Sequence, residues 1–119
     1  MNKEFVDYKT ALELKELGFD EPCMASRDMD NGKGLIQLPL YQQVFRWFRE
    51  KYGLQHRPWS GKINTVFYGY DILNIDEQEF VINNSKNGGG DCDYDSYEEA
   101  EQACLDKLIE LIKTIKIED

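Results

Sequence analysis

Apolar positions near the start of the chain recur at helical spacing. Ala11, Leu12, Leu14 and Leu17 form one stripe, which predicts a helix over about 8–17. Asp7 is placed to cap its free amides, Gly18 offers a left-handed stop, and Phe19 can fold back on Leu14. Over 23–38, the dipeptide Asn31-Gly32 separates two short runs and predicts a hairpin. A second helix is expected to begin near Pro39, whose missing N–H suits a first helical position, and to end at Gly53. At 100° per residue, Leu40, Tyr41, Val44, Phe45, Phe48 and Tyr52 share its apolar side. Trp47 falls on the margin of that stripe, which leaves one edge of its ring wet.

The period then changes from helical to alternating. A short strand over 54–59 is expected to stop at Pro58 and the Ser60-Gly61 turn. Over 65–73, Val66, Tyr68, Tyr70 and Ile72 alternate onto one face, the clearest strand in the chain. A turn over 74–78 leads to a strand over 79–83 that pairs antiparallel with it. Gly88-Gly89-Gly90 makes 84–95 a flexible loop. Ser96 and Glu99 form a capping box at the start of a last helix. Tyr97, Ala100, Cys104, Leu108, Leu111, Ile112 and Ile115 supply its apolar face, and 116–119 is expected to fray. The order α-β-β-α-β-β-β-α, with hairpin-length connections, predicts an α+β fold. It would be a single two-layer domain over 1–119, with an antiparallel sheet of three to five strands packed against helices.

Composition narrows the function classes. A chain of 119 residues, 41% hydrophobic, can bury a core of its own. No apolar run approaches the ~20 residues of a membrane span, and 1–5 lack the apolar centre of a signal peptide. The expectation is therefore a cytoplasmic protein with no membrane partner. The three cysteines (Cys23, Cys92 and Cys104) are odd in number and show no C-x-x-C spacing, which argues against a disulfide scaffold or a zinc site. A Cys–His or Ser–His nucleophile would have to recruit the single histidine, His56. The favoured reading is a protein that is not an enzyme.

Charge is unevenly spread within a net of −9. Residues 41–70 hold five bases and one acid, whereas 71–119 hold four bases and fourteen acids. The basic middle interleaves Arg46, Arg49 and Arg57 with Trp47 and Trp59, the mixture of fixed cations and flat rings that a single-stranded nucleic-acid site needs. These five are the candidate binding residues. Against a nucleic-acid partner stand the overall negative field, the core positions of most aromatics, and Glu50 one turn from Arg46 as its ion-pair partner. A protein partner, with the chain itself as one option, is preferred.

Asp91, Asp93 and Asp95 alternate in the glycine-rich loop and form the candidate metal site. Three carboxylates could turn toward one calcium or magnesium ion. The calcium-loop pattern breaks at Ser96, where a glycine is needed, and at Gln102, where a bidentate glutamate is needed. Acids ahead of a helix are also explained by its dipole, so no cofactor is expected.

Three stretches carry a resemblance: L-Y-Q-Q-V-F-R-W-F-R-E-K-Y-G-L over 40–54, S-Y-E-E-A-E-Q-A-C-L over 96–105, and E-L-G-F-D-E-P-C over 16–23. Together they resemble a family of small proteins, of no known activity, encoded in phages and integrated mobile elements of gut bacteria. The resemblance implies a bacterial phage or mobile-element setting and brings no known activity or catalytic residues. The absence of a catalytic constellation, with Trp47 and Trp59 at the margin, is what favours an accessory or regulatory protein that binds another protein. Residues 65–112 are also similar to HicB-type antitoxins, whose sheet is followed by a helix opening with a comparable T-x-E-E-A run. The proline-glycine strand end of those antitoxins is missing here, and a likeness of fold does not transfer function.

Overall fold

A computed structural model describes residues 4–63, 65–83 and 94–118. The element order is α-β-β-α-β-β-β-α, an α+β fold whose described strands form two antiparallel sheets. The chain forms two compact units, Met1–Val44 with Ile109–Asp119, and Phe45–Leu108; the divisions fall within the second and third helices.

In the first unit, α1 spans Tyr8–Glu16 and both of its ends are closed by the residues expected. Asp7 Oδ1 accepts a hydrogen bond from the Thr10 N–H at 2.8 Å. Gly18 turns left-handed at φ +99°, which lets the Phe19 N–H reach the Leu14 carbonyl at 3.0 Å and brings Phe19 back under the helix. Thr10, Ala11, Leu14 and Leu17 are buried along one side. Asp7→Ala is expected to cost about 1 kcal/mol, read as a lowered urea midpoint with unchanged m.

The predicted hairpin follows as β1, Ala25–Asp28, paired with β2, Leu35–Leu38, in the register Ala25↔Leu38 to Asp28↔Leu35. The first arm has little strand propensity of its own and is held from outside. The Tyr8 hydroxyl accepts the Asp30 N–H at 2.9 Å, and the Arg27 guanidinium lies 3.9 Å from the Tyr8 ring centroid while pairing with Asp30 at 2.9 Å. Near the chain's other end, Lys113 Nζ lies 2.9 Å from Glu13 Oε2.

Pro39 is not the first residue of the second helix, α2, which spans Tyr41–Tyr52. Residues 4–6 take up the backbone groups ahead of it. The Val6 N–H donates to the Pro39 carbonyl (2.9 Å), the Tyr41 N–H donates to the Glu4 carbonyl (3.0 Å), and Phe5 bridges to Leu40. That pairing keeps Pro39 and Leu40 extended, and the Leu40 carbonyl accepts the Val44 N–H at 3.1 Å.

A second correction concerns Trp47, expected at a wet margin but only 6% exposed. A helical wheel counts position on one cylinder and misses what neighbouring side chains cover. The Phe48 and Tyr52 rings pack edge-on to the indole at 5.0 and 5.5 Å, and Lys51 Nζ sits 5.0 Å from its ring centroid.

The second unit is built on β3 (Leu54–Ile63), β4 (Thr65–Asn74) and β5 (Glu79–Asn83), hydrogen-bonded in the order β3-β4-β5. β3 does not stop at Trp59 as expected. It continues through Pro58 and Ser60-Gly61 in unbroken register with β4, with Pro58↔Tyr70, Ser60↔Tyr68 and Gly61↔Phe67. Because β3 is an edge strand of this sheet, a proline inside it does not have to supply a donor to a strand on each side. Tyr70 and Ile72 are buried on the expected face of β4; Val66's side chain lies outside the described residues. β5 pairs with β4 through a register shift, Ile72↔Ile82 then Leu73↔Phe80, so Val81 is the extra residue of a bulge.

Past β5, Tyr94 exchanges two backbone hydrogen bonds with Tyr68, at 2.9 and 3.0 Å. Tyr68 faces Ser60 of β3 on its other side, so Tyr94 lies along the same edge of β4 as β5. The expected flexible loop falls largely on 84–93, outside the described residues.

The third helix, α3, spans Tyr97–Glu118, and Ser96 Oγ accepts the Glu99 N–H at 3.2 Å as the capping box requires. Its buried arc is broader than the predicted stripe. Leu105 and Ile109 are buried with Ala100, Cys104, Leu108 and Ile112, whereas Tyr97 and Ile115 are 42% and 50% exposed. Those two stand near the helix ends, beyond the buried arc.

Candidate interface on the three-stranded sheet

Parity along β3 and β4 sorts the side chains of the second unit onto two faces. One carries Leu54, His56, Tyr70 and Ile72. There the imidazole of His56 stacks on Phe45 of α2 with centroids 4.0 Å apart, and Tyr68 meets Tyr97 of α3 edge-on at 6.5 Å. Burial pushes the His56 pKa down to about 4, so the ring is neutral at pH 7. It makes no hydrogen bond to a serine or cysteine among the described residues.

The other face carries Arg57, Trp59, Gly69, Asp71, Leu73 and Phe80. Trp59 pairs across the strands with Gly69, and the indole occupies the space a side chain there would fill. A Cβ on Gly69 would lie 2.6 Å from Trp59 Cη2 and 2.7 Å from Cε2. Lying flat over the glycine, the indole Nε1–H donates to Asp71 Oδ1 at 3.2 Å. Asp71 is only 4% exposed, so a carboxyl group is buried beside the tryptophan on a face whose Arg57 and Phe80 are exposed. Beside it, the Arg57 guanidinium carbon stands 5.4 Å from the centroid of Phe80, which is 42% exposed.

Of the five sequence-predicted binding residues, the sheet brings together only Arg57 and Trp59. Arg46 and Arg49 are exposed on α2, the helix whose Phe45 contacts the opposite face, and Trp47 is buried. Arg46 makes no ion pair with Glu50 among the described residues. The three partners that complete the patch, Gly69, Asp71 and Phe80, escaped the sequence reading. A glycine and an aspartate inside the best strand were the available signal. Counting the hairpin register through Pro58 would have set both beside Trp59.

Asp91 and Asp93 lie outside the described residues, and Asp95 is exposed. Among the described residues no group of three His, Cys, Asp or Glu side chains is placed to hold a metal ion. Nor is any described helix long and apolar enough to cross a membrane. In the first unit, a groove of about 410 Å³ is lined by the buried Phe19 and Ile36 together with Lys15, Asp20 and Glu21. No family model, characterised protein or solved structure matches the chain.

Proposed function

We propose that this protein is a non-enzymatic binding module, an accessory or regulatory protein of a phage or mobile element acting in a bacterial cytoplasm, and that its partner is another protein. The observation that supports the reading is the sheet face on which Arg57, stacked on an exposed Phe80, adjoins Trp59 seated over a buried Asp71. Arginine and aromatic side chains held rigid by their neighbours are the residue types that dominate interface energies. Arg57 and Phe80 are exposed, so removing them leaves the core intact, whereas Trp59 is tied into the sheet. Separation of Arg57 from the α2 arginines, together with a net charge of −9, counts against a polyanionic partner.

The test is capture from the native host followed by binding measured on the purified partner. Arg57→Ala and Phe80→Ala should each weaken that binding by about tenfold or more, with melting temperature unchanged. Equal affinity of both variants would remove this face from the account. Low-salt binding of an oligonucleotide that weakens steeply with added salt would replace the protein partner with a nucleic acid.

A further inference from the structure

Arg57 is the one arginine or lysine on its sheet face among the described residues, and its guanidinium makes no ion pair there, although the chain holds 23 acids. Its guanidinium carbon stands 5.4 Å over the Phe80 ring centroid and the residue is exposed, which leaves the fork of N–H donors within reach of a ligand. Its nearest surroundings are apolar or spoken for: Phe80 under it, Leu73 on the neighbouring strand, and Asp71 already accepting the indole proton of Trp59. An exposed guanidinium backed by an aromatic ring can bind one planar anion with two parallel hydrogen bonds.

We propose that Arg57 is the recognition residue of this face and that it receives a single carboxylate from the partner, an aspartate or glutamate flanked by apolar residues that cover Phe80. The inference rests on the protein-binding reading above and adds the chemistry of the segment recognised. Charge decides between a carboxylate and a phosphate chain. A nucleic acid offers a phosphate at every step and rewards several cations in a row, whereas this face offers one. One acid set among apolar residues matches one cation beside aromatic rings, and a partner with few charges pays least repulsion from a −9 protein.

The probes are the blocked tripeptides acetyl-Leu-Glu-Leu-amide and acetyl-Leu-Gln-Leu-amide, inorganic phosphate, and a ten-residue oligothymidylate. Each is titrated into the isotope-labelled chain while the Arg57 side-chain N–H and Phe80 ring resonances are followed. The glutamate peptide should shift both sets, with the glutamine peptide binding at least about fivefold more weakly. Arg57→Lys, which keeps the charge but loses the fork, should erase that preference without altering the remaining spectrum. Equal response to the two peptides overturns the proposal, as does tighter binding of phosphate or the oligothymidylate. So does retention of the preference in Arg57→Lys. A host partner whose binding depends on Phe80 but ignores Arg57 would leave the protein-binding reading standing and remove this inference alone.

Discussion

Gly69→Ala is expected to destabilise the protein by about 2–4 kcal/mol, more than its single added methyl suggests. The new Cβ would fall within 3 Å of three carbons of the Trp59 ring, Cζ2, Cη2 and Cε2, closer than side chains in real structures approach. Rigid β4 backbone lies on one side of the clash, so the indole has to move. Moving it breaks the Nε1–H bond to Asp71, a carboxylate 4% exposed, which then loses one of its donors inside the sheet. Overpacking and the lost charge-assisted bond therefore add. Urea melts measure the sum. The double variant Gly69→Ala/Trp59→Ala should lose less than the two single changes combined, because removing the ring removes the clash. A cost below about 0.5 kcal/mol for Gly69→Ala would mean that the indole does not rest on the glycine.

A second large effect should appear between pH 4 and 6.5. The folded chain holds the His56 pKa at about 4, against an ordinary value of 6.5, because the ring is buried against Phe45. Between those values the unfolded chain binds a proton that the folded chain refuses. Stability from this group is therefore complete above 6.5 and is lost as pH falls toward 4, by about 2–3 kcal/mol after allowance for partial exposure.

Glu101 acts in the opposite sense. Burial, and then the nearby Glu98, raise its pKa to about 7, so the folded chain keeps a proton that the unfolded chain releases above 4.5. Its contribution is present below 4.5 and disappears as pH rises to 7. The wild-type profile mixes the two slopes, and variants separate them. His56→Phe retains a ring beside Phe45 and should lose the rise in urea midpoint from pH 4 to 6.5, leaving a decline toward pH 7. Glu101→Gln should remove that decline. A His56→Phe profile parallel to wild type would mean that the imidazole is solvated.

Much of the fold was legible because its signals are local. Asp7 with Gly18, Asn31-Gly32, Gly53 and Ser96 with Glu99 each mark an element end within a few residues of where it occurs, and they set the order of elements. Partners distant in sequence were hidden. Nothing near Pro39 reveals that residues 4–6 will occupy its carbonyl, and nothing near Glu13 points to Lys113, a hundred positions on. Trp47 shows the same limit at close range, since its own wheel position said margin while Phe48, Tyr52 and Lys51 closed over it. The site followed this division. Arg57 and Trp59 share a face by simple parity, which a sequence displays. Grouping them with Arg46 and Arg49 relied on adjacency along the chain, and the step from helix to strand sends the two pairs to different surfaces. Proline also misled: read as a terminator, it hid four further residues of β3 and with them the register that sets Trp59 against Gly69.

The seam along the outer edge of β4 has a practical consequence. Asn83 stands opposite Asp71 and Tyr94 opposite Tyr68, in the same direction of travel, so the two ends are three strand positions, or about 10 Å, apart. An insertion tested between the two therefore has to present termini about that far apart if both pairings are to be kept.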